Sequence, residues 1–318
     1  MRGSQLREHI AVVGVALLAL VVAVTIFTFA GAATGGTGIF HTNCDYDHSA
    51  MDDPIVHPGV TGASHMHDFF GNKTTNAFST LSTLKAGTTT CAVGVDKSGY
   101  WAPQLIFNGT PVQPARVQAY YLSKAGPVVT PPTGLELVAG NAHATAPLST
   151  KIISWNCSGI YSGPTADQSA PPVCPSGSVL KVVVFFPNCW DGFMPTGQDN
   201  TSHTTYAVNG TCPNGFNAIA QLRAEFKYPA AVDGRGNVAF ASGPYYTMHA
   251  DWFNAWDSTA LNNIVSGCIN ANTDCGSTVP IGSPSTTVAP PTTTPPTTAP
   301  PTTTTTVVVG CVKATTSA

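Results

Sequence analysis

Two histidines one residue apart, in Ser64-His65-Met66-His67-Asp68, are the residues of this chain best placed to do chemistry. In extended backbone, residues i and i+2 point to the same side, so the pair offers two imidazoles to one ligand, with the Asp68 carboxylate directly behind. Two other segments repeat the combination, Asp199-Asn200-Thr201-Ser202-His203 and His249-Ala250-Asp251. Neutral imidazole nitrogens suit zinc and copper. His65 and His67 therefore supply two ligands of a candidate divalent-metal site, and the third must come from afar, from His203 or His249. A metal-free version uses Asp68 and Asp251 as acid and base or nucleophile, with Asp191 a further carboxylate and His203 and His249 positioning water. Asp251 has the strongest claim, because it shares a strand face with His249. The plainer reading of Asp191, before Gly192, is a turn residue. His41, His48, His57 and His143 read as structural or surface residues. None of the specific ligand, nucleophile or nucleotide-binding spacings is present.

Flat rings lie in the same segments: Tyr100, Trp101, Trp190, Tyr245, Tyr246, Trp252 and Trp256. Trp101, Trp190 and Trp252, with Asn72, form the expected substrate-binding set for a sugar, since such rings can cover the apolar face of a pyranose. Buried aromatics are more often simply core.

The elements that must carry these residues are mainly strands. Short apolar runs separated by Gly, Pro and Asn dominate, and helical periodicity is scarce. Leu222–Tyr228 alternates apolar and charged residues, predicting one buried and one wet face. Leu180, Val182, Val183, Val184, Phe185 and Phe186 form an apolar run interrupted only by Lys181, as in a strand covered on both sides. Trp101–Phe107, Arg116–Leu122, Leu135–Val138 and Lys151–Trp155 are further candidates. The one good helix starts near Asp257 or Ser258 and aligns Ala260, Leu261, Ile264, Val265 and Cys268 on one face. The expected architecture is a single mainly β domain, a β-sandwich or jelly roll with long loops and a short C-terminal helix, stabilised by disulfides.

Arg2 and Arg7 precede an apolar run from Ile10 to Ala30, so residues 1–32 read as a signal peptide or an N-terminal membrane anchor. Residues 33–39 are a spacer, 40–280 the domain, 281–306 a Thr/Pro-rich linker and 307–318 a short stub. The chain has nine cysteines, and with an export signal they argue for disulfides in an oxidising compartment. Proximity pairs Cys157 with Cys174, Cys189 with Cys212 and Cys268 with Cys275, leaving Cys44 with Cys91 and Cys311 as the odd one. Only 9% of residues are charged, with a net charge of −3. No basic stretch is visible, which argues against nucleic acid as a partner. A membrane enters only through the N-terminal segment, if it is uncleaved.

Asp53-Pro54-Ile55-Val56-x-Pro58-Gly59, Ser64-His65-Met66-His67-Asp68-Phe69-Phe70-Gly71-Asn72, Phe186-Pro187-x-Cys189-Trp190-Asp191-Gly192, Ser202-His203 and His249-Ala250-Asp251 occur in that order. Together they resemble a secreted family of bacteria and fungi catalogued as a domain of unknown function. The resemblance runs from about Phe40 to Cys275 and singles out His65, His67, His203, His249 and Asp251 as motif residues. Some members carry WSC-type carbohydrate-binding modules, which implies a polysaccharide or cell-wall glycan as partner. The expected function is an extracellular polysaccharide-cleaving enzyme, a glycoside hydrolase with a His/Asp cleft that a zinc or copper ion assists. Its rivals are a non-catalytic carbohydrate-binding or adhesion module on a Thr/Pro stalk and a copper-dependent redox enzyme.

Overall fold

The computed structural model describes residues 38–123, 126–159, 165–194 and 202–281. The leader, the Thr/Pro-rich stretch from Ser283 and Cys311 lie outside these residues. Among the described residues no helix is long and apolar enough to cross a membrane.

The chain runs through β1 (Ile39–Ala50), β2 (His67–Gly71) and β3 (Gly99–Pro103), then β4 (Leu105–Phe107) and β5 (Thr110–Val112). Next come β6 (Arg116–Leu122), β7 (Glu136–Gly140), β8 (Ile153–Gly159) and β9 (Ser178–Phe185). Three two-residue strands, β10 (Cys189–Trp190), β11 (Thr204–Thr205) and β12 (Asn217–Ala218), form a small sheet of their own. The last strands are β13 (Gln221–Lys227), β14 (Val238–Phe240), β15 (Gly243–Pro244) and β16 (His249–Phe253). Nine of them build one antiparallel sheet in the order β7-β16-β3-β2-β1-β6-β13-β9-β8. The domain is mainly β, as the spacing of apolar runs and turn residues predicts.

The main sheet divides its side chains by alternation. One face carries Phe40, Tyr121, Phe226, Trp252 and most of the core. On the other face Phe69, Trp101 and Phe253 join Ile55, Leu84 and Ala255 in a second, smaller cluster. β1 spans both regions because its register shifts between Tyr46 and His48. The extra residue of such a bulge returns the strand to the opposite parity, so Asn43 and Asp45 share a face with His48 and Ala50. β9 is buried almost throughout, as a run of apolar residues broken only by Lys181 implies. β13 differs from its expected wet face: Glu225 is buried, held by Lys181 at 3.0 Å and Arg223 at 3.2 Å. Ion pairing makes that burial tolerable.

Asp257 caps α2 (Ser258–Ile264) by accepting a bond from the Ala260 N–H at 2.9 Å. A π-turn over Val265–Ile269 follows, and its Cys268 is tied to Cys275. The six-residue α1 (Leu81–Ala86), capped by Thr80, is too short for periodicity to reveal. Cys44–Cys91, Cys157–Cys174 and Cys189–Cys212 are the other three disulfides. The first closes the segment that contains His65 and His67, a constraint worth about 4 kcal/mol in the chain-entropy account.

Candidate metal centre

His67 opens β2, His249 opens β16, and β3 lies between them. Pro103 faces His67, while Asp251 faces Trp101 in the antiparallel register. His249, two residues before Asp251, therefore sits on the far side of Pro103. Strands two apart are separated by roughly 10 Å, a gap that two imidazoles reaching inward over the proline can close. His65 lies in the loop just before β2 and approaches the same point from outside the sheet. Gly140 pairs with His249 at φ +90, and a Cβ there would run into the Met248 carbonyl and His249 itself. Only glycine fits this approach.

The three rings converge through their Nε2 atoms, 3.1 Å apart for His65 and His249 and 3.3 Å for His67 and His249. The ligand atoms of all three lie within 4.8 Å of one another. His67 Nδ1 is 3.1 Å from the Asp52 carbonyl and His249 Nδ1 is 2.9 Å from the Thr247 carbonyl. A carbonyl oxygen can only accept, so each Nδ1 carries a proton and donates it. In a neutral ring that leaves Nε2 as a bare lone pair. Burial holds all three rings neutral: His67 is pushed well below its ordinary value, and His65 and His249 are each lowered to about 4. His65 can donate to His249 only by surrendering its own lone pair, and the His67–His249 contact would remain acceptor against acceptor. A cation between them resolves the conflict. Four nitrogens around zinc at 2.0–2.1 Å would stand ~3.3–3.4 Å apart, close to the spacing found here. The backbone carbonyls on Nδ1 are the partners that orient metal-ligating histidines.

A ring of carboxyls lies behind His67. Asp53, His67 and Asp251 each place one ligand atom within 4.8 Å of the others. Asp251 is 1% exposed, and among the described residues neither of its carboxyl oxygens has a hydrogen-bond partner. Burial, reinforced by Asp53, pushes its carboxyl well above the usual range. Asp53 is raised by burial although its Oδ1 accepts from the Ile55 and Val56 N–H groups. Glu136 rises to about 7 through burial and the nearby Asp53. Asp52 braces the loop, with its carboxylate taking the Gly62 and Ala77 N–H groups and its carbonyl taking His67.

Other expected site residues fall elsewhere. Asp68 follows His67 in the strand and so projects from the opposite face, bonded to Ser49 at 2.6 Å and Gln104 at 3.0 Å. The structure therefore does not bring Asp68 and Asp251 together. His203 is absent from the metal-competent groups among the described residues. It pairs instead with Asp191 at 2.8 Å beside the small β10–β12 sheet, where Asp191 also makes the turn bond to the Phe193 N–H. Trp101 and Trp252 are fully buried, the latter in the core against Tyr121, so neither offers an exposed ring to a sugar. Asn72 is buried with its side chain committed to Leu84, Lys97 and Thr74. Trp190 remains partly exposed and donates its indole N–H to the Phe193 carbonyl. Sequence reasoning missed Asp53, which stands out only as part of the Asp53-Pro54-Ile55-Val56 motif; no local spacing could have placed it beside His67 and Asp251.

One protein family, the domain of unknown function DUF1996, matches residues 53–256. No curated protein and no solved structure matches the chain.

Proposed function

We propose that this chain, which belongs to the DUF1996 family, is an exported metal-assisted hydrolase that cleaves an extracellular polysaccharide at a His65, His67 and His249 centre. The observation that carries the reading is the convergence of three Nε2 atoms on one point, two of them with their protons committed to backbone carbonyls. Zinc bound by three imidazoles supplies Lewis acidity and a water acidified to near neutral pH. His65, half-buried, forms the solvent side of the centre, and Asp53 and Asp251 line its inner side. Two carboxylates flanking one glycosidic bond are the metal-free alternative. With Asp68 and Asp251 on opposite sheet faces, the metal is the better-supported source of the chemistry. Four disulfides accord with action in an oxidising compartment. Copper suits the same donor set, which makes oxidative cleavage the second reading.

The test is release of sugar ends from a panel of wall polysaccharides by protein stripped of metal and reloaded with zinc or copper. Hydrolytic ends with zinc, absent from stripped protein and from the His65→Ala/His67→Ala variant, are expected. Oxidised ends seen only with copper and a reductant would select the redox reading. Polymer binding without cleavage in every metal state would leave a carbohydrate-binding module.

A further inference from the structure

The chain has 13 Lys and Arg residues, and four of them meet on one face of the main sheet although they are scattered in sequence. Arg116 on β6, Lys181 on β9 and Arg223 and Lys227 on β13 are brought together by the register that aligns Gln118 with Glu225 and Lys227 with Lys181. Two lysines directly opposite each other are unfavourable without an anion nearby. Glu225 serves Lys181 at 3.0 Å and Arg223 at 3.2 Å at once, and Asp45 faces Arg116 at 3.4 Å. Four cations thus share two carboxylates. Among the described residues the Lys227 ammonium has only a 3.5 Å contact with the Gln118 amide oxygen, and the buried Arg223 Nε has no hydrogen-bond partner. Two adjoining hollows, of about 440 and 350 Å³, open here and share Ala115 and Lys227 in their walls. Arg223 also lies over the Tyr120 ring, 4.1 Å from its centre, as a flat, charged platform.

The open part of this face ends at the bulge in β1, because beyond it His48 stacks on the buried Phe69 and Ala50 packs against the second core cluster.

We propose that the β1–β6–β13 face is a second, non-catalytic site that binds the carboxylates of an acidic polysaccharide. The anion preference stands on the charge arrangement alone; the choice of a polysaccharide rests on the proposed function. Titration calorimetry of the full chain with polygalacturonate, polyphosphate and a neutral β-glucan tests it, using wild type, Lys227→Glu, Lys227→Gln and His65→Ala/His67→Ala. Polygalacturonate should bind, more weakly as salt rises, with Lys227→Glu losing about tenfold in affinity and Lys227→Gln losing less. The histidine variant should bind as wild type does, so failure of the metal reading and failure of this one are separable. A far-UV circular dichroism spectrum and melting temperature unchanged in the Lys227 variants show that they fold. Equal binding of the neutral glucan, tighter binding of polyphosphate than of the uronate, or indifference to both Lys227 changes would overturn the proposal.

Discussion

Restoring metal to stripped protein should raise the melting temperature of the wild type and leave that of His249→Ala almost still. His249 takes part in both short Nε2 contacts, so its removal deletes the ligand common to the two. Metal at a hundred times its dissociation constant, bound only by the folded state, adds about 2.7 kcal/mol. For a domain of this size each kcal/mol moves the melting temperature by roughly 2–4 °C, so the wild type should gain roughly 5–11 °C. If losing one imidazole weakens binding about a hundredfold, the same metal concentration adds only about 0.4 kcal/mol, or roughly 1–2 °C. The metal-free proteins provide an independent comparison. Emptying a buried side chain's site ordinarily costs about 2–5 kcal/mol, but here truncation also relieves the contact between two lone pairs, so stripped His249→Ala should lose less. Scanning fluorimetry in chelator and in zinc reads both effects. Equal wild-type melting temperatures in the two buffers, with the variant bearing the full truncation cost in each, would refute the reasoning and reduce the histidines to a packed cluster.

Gly140→Ala should destabilise the domain by about 1–3 kcal/mol, because it adds left-handed strain to a clash with the Met248 carbonyl; it should also weaken metal binding, and denaturant melts with a metal titration check both. Asp96 is fully buried, accepts from the Tyr100 hydroxyl at 2.7 Å, and is raised by burial to about 7. The folded state therefore keeps a proton that the unfolded chain loses near pH 4, and the contribution of Asp96 to stability falls as pH rises from about 4 to 7. Relative to wild type, Asp96→Asn should gain up to about 4 kcal/mol between pH 4 and pH 8. Paired urea melts at those two pH values check this, and a difference that does not change with pH would contradict it.

The His249/Asp251 face was legible because strand alternation is local: two residues apart in a strand means the same side. The histidine pair was legible only through its closeness in sequence, since His65 lies in the loop before β2 and reaches the site from there. Choosing His249 over His203 as the third ligand was not legible, since it depends on β3 lying between β2 and β16. The disulfides with short separations could be paired by proximity, and Cys44 with Cys91 then followed by elimination. Trp101 and Trp252 resemble a sugar platform in sequence because a core aromatic and a binding aromatic look alike until burial is known. The bulge in β1 places Asn43 and Ala50 on one face, a parity that simple alternation gets wrong. The cationic face is not legible in the sequence for a related reason: Arg116, Lys181 and Arg223 come from three strands that neighbour one another only through long-range pairing.

Elemental analysis joined to X-ray absorption, on protein purified from an oxidising compartment without added metal, bears most directly on the central claim. The account predicts about one zinc or copper per chain, with three imidazole nitrogens at ~2.0–2.1 Å for zinc, and its loss in His65→Ala/His67→Ala. Absence of metal from wild type that also fails to take it up, or metal retained undiminished by the double variant, would contradict it.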